Sequence, residues 1–161
     1  MDIHQRKQNR IPNYDYSLCG AYFVTVCTRD RRRILSDIVG DGFPVPKPIG
    51  SIAEEMIHLI PKKYPIVQID RYVIMPDHIH ILLRINAWEG NEKSSPALGN
   101  IVAWYKYQVT KQANALSGMQ GEKVFQRSYY DHVIRNQADY DEIWQYIENN
   151  PQKWVLDHER V

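Results

Sequence analysis

His78 and His80 stand two residues apart in "YVIMPDHIHILLRI" (Tyr72 to Ile85), a run otherwise rich in Val, Ile and Leu. Side chains alternate along a strand, so residues i and i+2 share a face with Cα atoms about 7 Å apart. Two imidazoles at that separation can converge on one borderline metal ion. The alternate residues Ile79, Ile81, Leu83 and Ile85 form an unbroken apolar row that must face a core. The histidines therefore share with Leu82, Arg84 and Asn86 the face that the main core does not use. Two surface histidines on a half-solvated sheet would give the same pattern, so the strand alone leaves metal binding open.

A third donor and a nucleophile are available further on. If Tyr140, Ile143, Trp144 and Ile147 are the buried stripe of a last helix, then Asp139, Glu142, Tyr146 and Asn150 form the neighbouring stripe. Tyr146 and Asn150 are four apart, which puts a phenol and an amide oxygen one turn from each other. A rim tyrosine and a helix-ending asparagine before Pro151 account equally well for the pair, and residue physics by itself favours that plainer account.

The elements that must hold these groups follow from period and punctuation. "GAYFVTVCT" (Gly20 to Thr28) is β-branched and aromatic, a strand. "SIAEEMIHLI" (Ser51 to Ile60) begins with a capping serine followed three residues later by Glu54, and Pro61 should stop it. Two strands joined at Pro76-Asp77 form a hairpin. Leu98, Ile101, Val102, Tyr105, Val109, Ala113 and Leu116 mark a long amphipathic helix. "SYYDHVIR" (Ser128 to Arg135) reads as a strand. Asn136 can cap a final helix that should end at Pro151. "VGDGFPVPKPIG" (Val39 to Gly50) and "AWEGNEKSSPALGN" (Ala87 to Asn100) read as loops. This order predicts an α+β fold, an antiparallel sheet with helices packed on one face.

Composition narrows the setting. The 161 residues suit one domain, 1–161. With 20 Lys plus Arg against 19 Asp plus Glu, net charge points to no partner class. Arg29, Arg31, Arg32 and Arg33 crowd one segment that is either a solvated loop or a phosphate contact. Cys19 and Cys27, on one strand, would lie about 26 Å apart, too far for a disulfide. Free thiols, an N-terminus without an apolar core and no long apolar run predict a cytoplasmic, membrane-free protein.

"MPDHIHILL" together with "VFQRSYYDHVIRN" and "YIENNPQKW" resembles the single-tyrosine HUH transposases, and in detail the REP-associated tyrosine transposases of bacteria. The similarity runs from "RIPNYDYSLCGAYFVTVCT" to "NPQKW", and three motifs occur in order at family-like spacing. The resemblance implies a ferredoxin- or RRM-like sheet with the histidine pair on a central strand and the tyrosine on a C-terminal helix. His78 and His80 match the pair that binds a divalent cation, Mg²⁺ or Mn²⁺. Tyr146 matches the nucleophile and Asn150 the third metal ligand, where many insertion-sequence relatives carry Gln. Phe125 stands where many members have Trp, a departure in packing rather than chemistry.

The activity so implied is metal-dependent cutting and rejoining of single-stranded DNA beside hairpins of the REP type, through a 5′-phosphotyrosine. The branch further implies a nucleoid-associated monomer rather than a helix-exchanging dimer. Arg10, Lys106, Lys111, Arg127 and Arg135 are candidate phosphate contacts, and Tyr129 or Tyr130 candidate stacking residues. His132 falls in a family motif, yet its alternation with Tyr130 and Ile134 equally suits a buried, hydrogen-bonded role. His4, His58 and His158 read as incidental. Two other activities remain compatible: a domesticated binding module without catalysis, and a metal phosphodiesterase that uses water.

Overall fold

A computed structural model describes residues 20–86, 97–118 and 120–158. Arg10, His4 and Cys19 lie outside the described residues, as does most of the second expected loop. Four strands form an antiparallel sheet in the order β4-β5-β1-β6: β1 (Gly20–Cys27), β4 (Val67–Ile74), β5 (His78–Ile85) and β6 (Tyr130–Ile134). The histidine strand β5 is thus central, flanked by β4 and β1.

Two helices, α1 (Pro48–Lys63) and α2 (Leu98–Ser117), cover one face. They bury Ala53, Met56, Ile57, Ile60, Ile101, Val102, Tyr105 and Val109 against Tyr22, Val24 and Val26 of β1 and the expected Ile79, Ile81, Leu83 and Ile85 row of β5. Phe125 joins this core, so the substitution at that site is absorbed by packing.

The third helix, α3 (Gln137–His158), corrects the expectation that the helices share one face. Its Ile147, with Tyr140, Ile143, Trp144 and Trp154, packs on Phe23, Val73, Met75, Leu82 and Ile134, all outside the first core. The second face carries its own apolar patch, and α3 is what covers it. Asn136 caps α3 as expected, its side-chain oxygen accepting from the Asp139 N–H at 2.8 Å. Asp70, the residue skipped where β4 slips against β5, accepts from Tyr140 Oη at 2.7 Å and from Arg84 at 2.8 Å. That bulge ties the first half of α3 to the sheet.

Neither proline stops its helix. α1 starts three residues early, with Pro48 in its first turn, and runs past Pro61 to Lys63. α3 continues through Pro151 to His158, at a cost of about 3 kcal/mol for an interior proline. Burial of Pro151 and the packing of Trp154 beyond it offset that cost. The segment read as a loop is in part a small hairpin, β2 (Ser36–Val39) with β3 (Phe43–Pro46), whose Pro44 and Pro46 hid it.

This hairpin clamps the second half of α3. A Cβ on Gly42 would lie 2.8 Å from both Cα and N of Gln152, and Gly42 has φ +128°. Gly40, also at positive φ, has open space there. Gly40→Ala should therefore cost about 1–2 kcal/mol, the ordinary left-handed penalty, and Gly42→Ala clearly more. Urea midpoints of the two variants check this, and equal losses would mean that the hairpin does not bear on α3. Among the described residues, no helix is long and apolar enough to cross a membrane.

Candidate active site

Where β5, β1, β6 and α3 meet, a cleft of about 490 Å³ is lined by Thr25, Cys27, Arg31, His78, His80, Tyr130, Tyr146, Asn150, Lys153, Trp154, Asp157 and His158. Strand register builds its floor. Thr25 lies opposite both His80 and Tyr130, so these three share a row across the sheet, and Cys27 lies opposite His78. The helix builds the wall, with Tyr146, Asn150, Trp154 and His158 at successive four-residue steps.

The two imidazoles are 4.6 Å apart between ring centroids and inclined at 70°. His78 Nδ1 is 2.7 Å from Asp77 Oδ1, and a carboxylate oxygen accepts, so Nδ1 carries the proton and Nε2 keeps its lone pair. His80 Nδ1 is 2.8 Å from Thr25 Oγ1, which can accept in the same sense. His80 stacks on Phe23 at 5.1 Å and is buried, not half-solvated. His80 Nε2 and Asn150 Oδ1 are buried without hydrogen-bond partners. The Asn150 side chain also acts on the neighbouring His78, so two imidazoles and an amide come together at the cleft, a donor set suited to a cation. Among the described residues, no group of three or more His, Cys, Asp or Glu could hold a metal ion; the amide oxygen of Asn150 is the polar atom that lines the cleft beside the two histidines.

Burial pushes His80 down to about 3, and the nearby His78 and Arg31 push the same way. His78 is lowered as well, chiefly by desolvation, with Asp77 pulling against it. Neutral imidazoles are the form that binds metal. The unfolded chain takes up the His80 proton near pH 6.5, whereas the folded protein resists down to about 3. Stability is therefore intact above that upper value and falls with acidification below it, by roughly 1.4 kcal/mol per pH unit. Urea midpoints of chelator-treated protein should show this slope, and His80→Gln should flatten it.

Tyr146 is 42% exposed at the cleft mouth, its ring 5.4 Å from that of His80 and edge-on to Phe23 at 6.0 Å. The structure thus brings together His78, His80, Tyr146 and Asn150. It separates the expected DNA contacts. Tyr129 is only 6% exposed, because strand alternation turns it into the main core, so it cannot stack on a base. Tyr130, 50% exposed, lines the cleft instead. Lys106 donates to the backbone carbonyls of Gln126 and Ser128, holding the approach to β6. Lys111 sits on α2, on the other layer, and Arg135 beyond the end of β6 away from Tyr130. Arg127 is exposed just ahead of β6. His132 is hydrogen-bonded, to Asp139 at 2.8 Å, but half exposed.

Of the arginine cluster, Arg31 reaches the cleft. Asp30 and Arg31 have φ of 58° and 52°, a strained pair costing of order 1–3 kcal/mol each. That geometry brings the Arg31 guanidinium to 3.3 Å from Asp77 and 2.8 Å from Cys27 Sγ. Sequence reasoning missed Thr25, Lys153, Trp154 and Asp157 altogether. Only Thr25 had a findable signal, since a polar residue on the face of β1 away from the main core invites a partner on the next strand.

Residues 17–150 match the family described as "Transposase IS200 like". A protein of Haemophilus influenzae, itself described as uncharacterized, is 32% identical over 170 aligned positions, covering 96% of this chain and 93% of its own. Among solved structures, a REP-associated tyrosine transposase bound to a REP hairpin is similar with a TM-score of 0.58 at 22% identity, over 89% of this chain and 73% of that one. The last is a likeness of fold. The family match spans the whole sheet, both histidines, Tyr146 and Asn150, and by it this chain belongs to the IS200-like transposases.

Proposed function

We propose that this transposase cuts and rejoins single-stranded DNA beside a REP-type hairpin, with Tyr146 as nucleophile and a divalent cation, Mg²⁺ or Mn²⁺, held by His78, His80 and Asn150. The observation that carries the reading is the Tyr146 ring 5.4 Å from that of His80, beside two buried donor atoms, His80 Nε2 and Asn150 Oδ1, that have no partner. When bound, such a cation would polarise a phosphoryl oxygen as a Lewis acid.

The chain's own groups do the rest. Asp77 and Thr25 orient the imidazoles through their Nδ1 atoms. Phe23 and the α3 packing fix the Tyr146 ring, so that attack needs little reorganisation. Tyr146 Oη bonds to phosphorus while the bond from phosphorus to the 3′ oxygen breaks. The phenolic proton leaves to solvent, and the departing 3′ oxygen ends as a hydroxyl. The 5′-phosphotyrosine keeps one ester bond for another, so a 3′-OH can attack it and rejoin the strand without ATP. Because α3 packs on its own sheet, one chain holds every group named, which supports a monomer.

Incubating the protein with Mn²⁺ and REP-type DNA hairpins, each with single-stranded flanks, tests the reading. A protein–DNA adduct on a denaturing gel is expected. Cleavage without an adduct would point to water as nucleophile, and binding with neither to a non-catalytic module.

A further inference from the structure

Beyond Asn150 the cleft wall continues for two turns that the proposed chemistry does not use. Trp154 lies with its ring 6.3 Å from that of His78. His158 stacks on Trp154 at 3.9 Å and 14°, and the Arg33 guanidinium sits 5.2 Å from the Trp154 ring centroid. The His158 Nδ1–H donates to the Trp154 carbonyl at 2.8 Å, so the imidazole plane is fixed before anything binds. His158 is exposed and lines the cleft, which leaves, among the described residues, an oriented flat face at the end of the Trp154–His158 stack.

We propose that this wall is a subsite for one unpaired nucleotide of single-stranded DNA next to the scissile phosphate. Its base extends the stack onto the free face of His158, and its phosphate lies against Lys153. The inference rests on the proposed function and adds a residue-level path for the strand. Base stacking on an aromatic or imidazole plane tolerates any base, and a cation beside it tracks the backbone. Charge sets the orientation. Lys153 is exposed on the wall, whereas Arg31 is already engaged by Asp77. Asp157, one turn beyond Lys153 on the same helix, repels a phosphate, so the phosphate sits toward the Lys153 end of the wall. The closeness of Trp154 to His78 makes this the neighbouring nucleotide rather than a remote one.

Abasic scanning tests it. Fluorescein-labelled hairpins with single-stranded flanks, each missing one base, are titrated against wild type in chelator, where no strand is cut. One flank position beside the cleavage site should show roughly a tenfold loss of affinity when its base is absent. His158→Ala, at an exposed helix end, should lose a similar factor on intact DNA and nothing more on that one abasic hairpin. Trp154→Phe, which keeps a ring, should retain most of the affinity. If His158→Ala weakens every hairpin equally, or none, while wild type still forms its adduct in Mn²⁺, the subsite is overturned and the proposed function stands. If wild type neither binds hairpins nor forms an adduct, both fall.

Discussion

Tyr146→Phe is expected to bind hairpin DNA as wild type does and to form no covalent adduct, with strand cleavage down by at least roughly 10⁴-fold, the scale on which loss of a nucleophile is felt. The substitution removes one oxygen and leaves the ring against Phe23 and His80. Since the residue is 42% exposed, stability should change by less than about 0.5 kcal/mol. The chain has eleven tyrosines, so the assignment needs elimination as well as proximity. Tyr140 is bonded to Asp70 and pushed up to about 12 by burial and that contact. Tyr72, bonded to Glu54, is likewise pushed up to about 12, chiefly by burial. Tyr105 is wholly buried, with its hydroxyl on the Ala53 carbonyl. Tyr130 is the one serious rival among the described residues, being exposed in the same cleft, but it stands one strand beyond Thr25 from His80. Mass spectrometry of the DNA-linked peptide separates the two, and an adduct on Tyr130 would move the nucleophile without disturbing the family assignment.

The difference between Tyr129 and Tyr130 shows what was legible in the residues and what was not. Period two placed Ile79, Ile81, Leu83 and Ile85 on the core face, and the structure agrees, because one face of a central strand in this fold must be apolar. The same rule could have separated Tyr129 from Tyr130, since His132 and Ile134 share the face of Tyr130. Register was beyond reach: that Thr25 meets His80 depends on how β1 and β5 align, a tertiary outcome. Both prolines misled for one reason. Local propensity sets the cost of a proline in a helix, but burial of Pro151, the packing of the partly buried Trp154 and the Gly42 approach to Gln152 decide whether the helix continues. The last two turns of α3, with Lys153, Trp154, Asp157 and His158, were hidden by that single misplaced boundary.

His80→Gln should abolish metal-dependent cleavage, by at least about a thousandfold, and should also abolish a stabilisation that wild type shows without any DNA. A ligand that binds only the folded state stabilises it by mass action, by about 2.7 kcal/mol at a hundredfold excess over Kd. Wild type titrated with Mn²⁺ should therefore melt at progressively higher temperature, and His80→Gln, like His78→Ala, should not. The metal-free comparison runs the other way. His80 Nε2 is a buried atom with no partner, and burial pushes the ring's pKa down to about 3, so the fold bears a desolvation cost at that atom even though the ring stacks on Phe23 and its Nδ1 meets Thr25. Glutamine keeps polar character and can turn toward Thr25, so metal-free stability should change little at neutral pH and improve relative to wild type in acid. A residue kept for packing would show the reverse, a large loss of stability with chelator present and no interaction with added metal. An equal Mn²⁺-induced shift in wild type and His80→Gln would take this histidine out of the metal site.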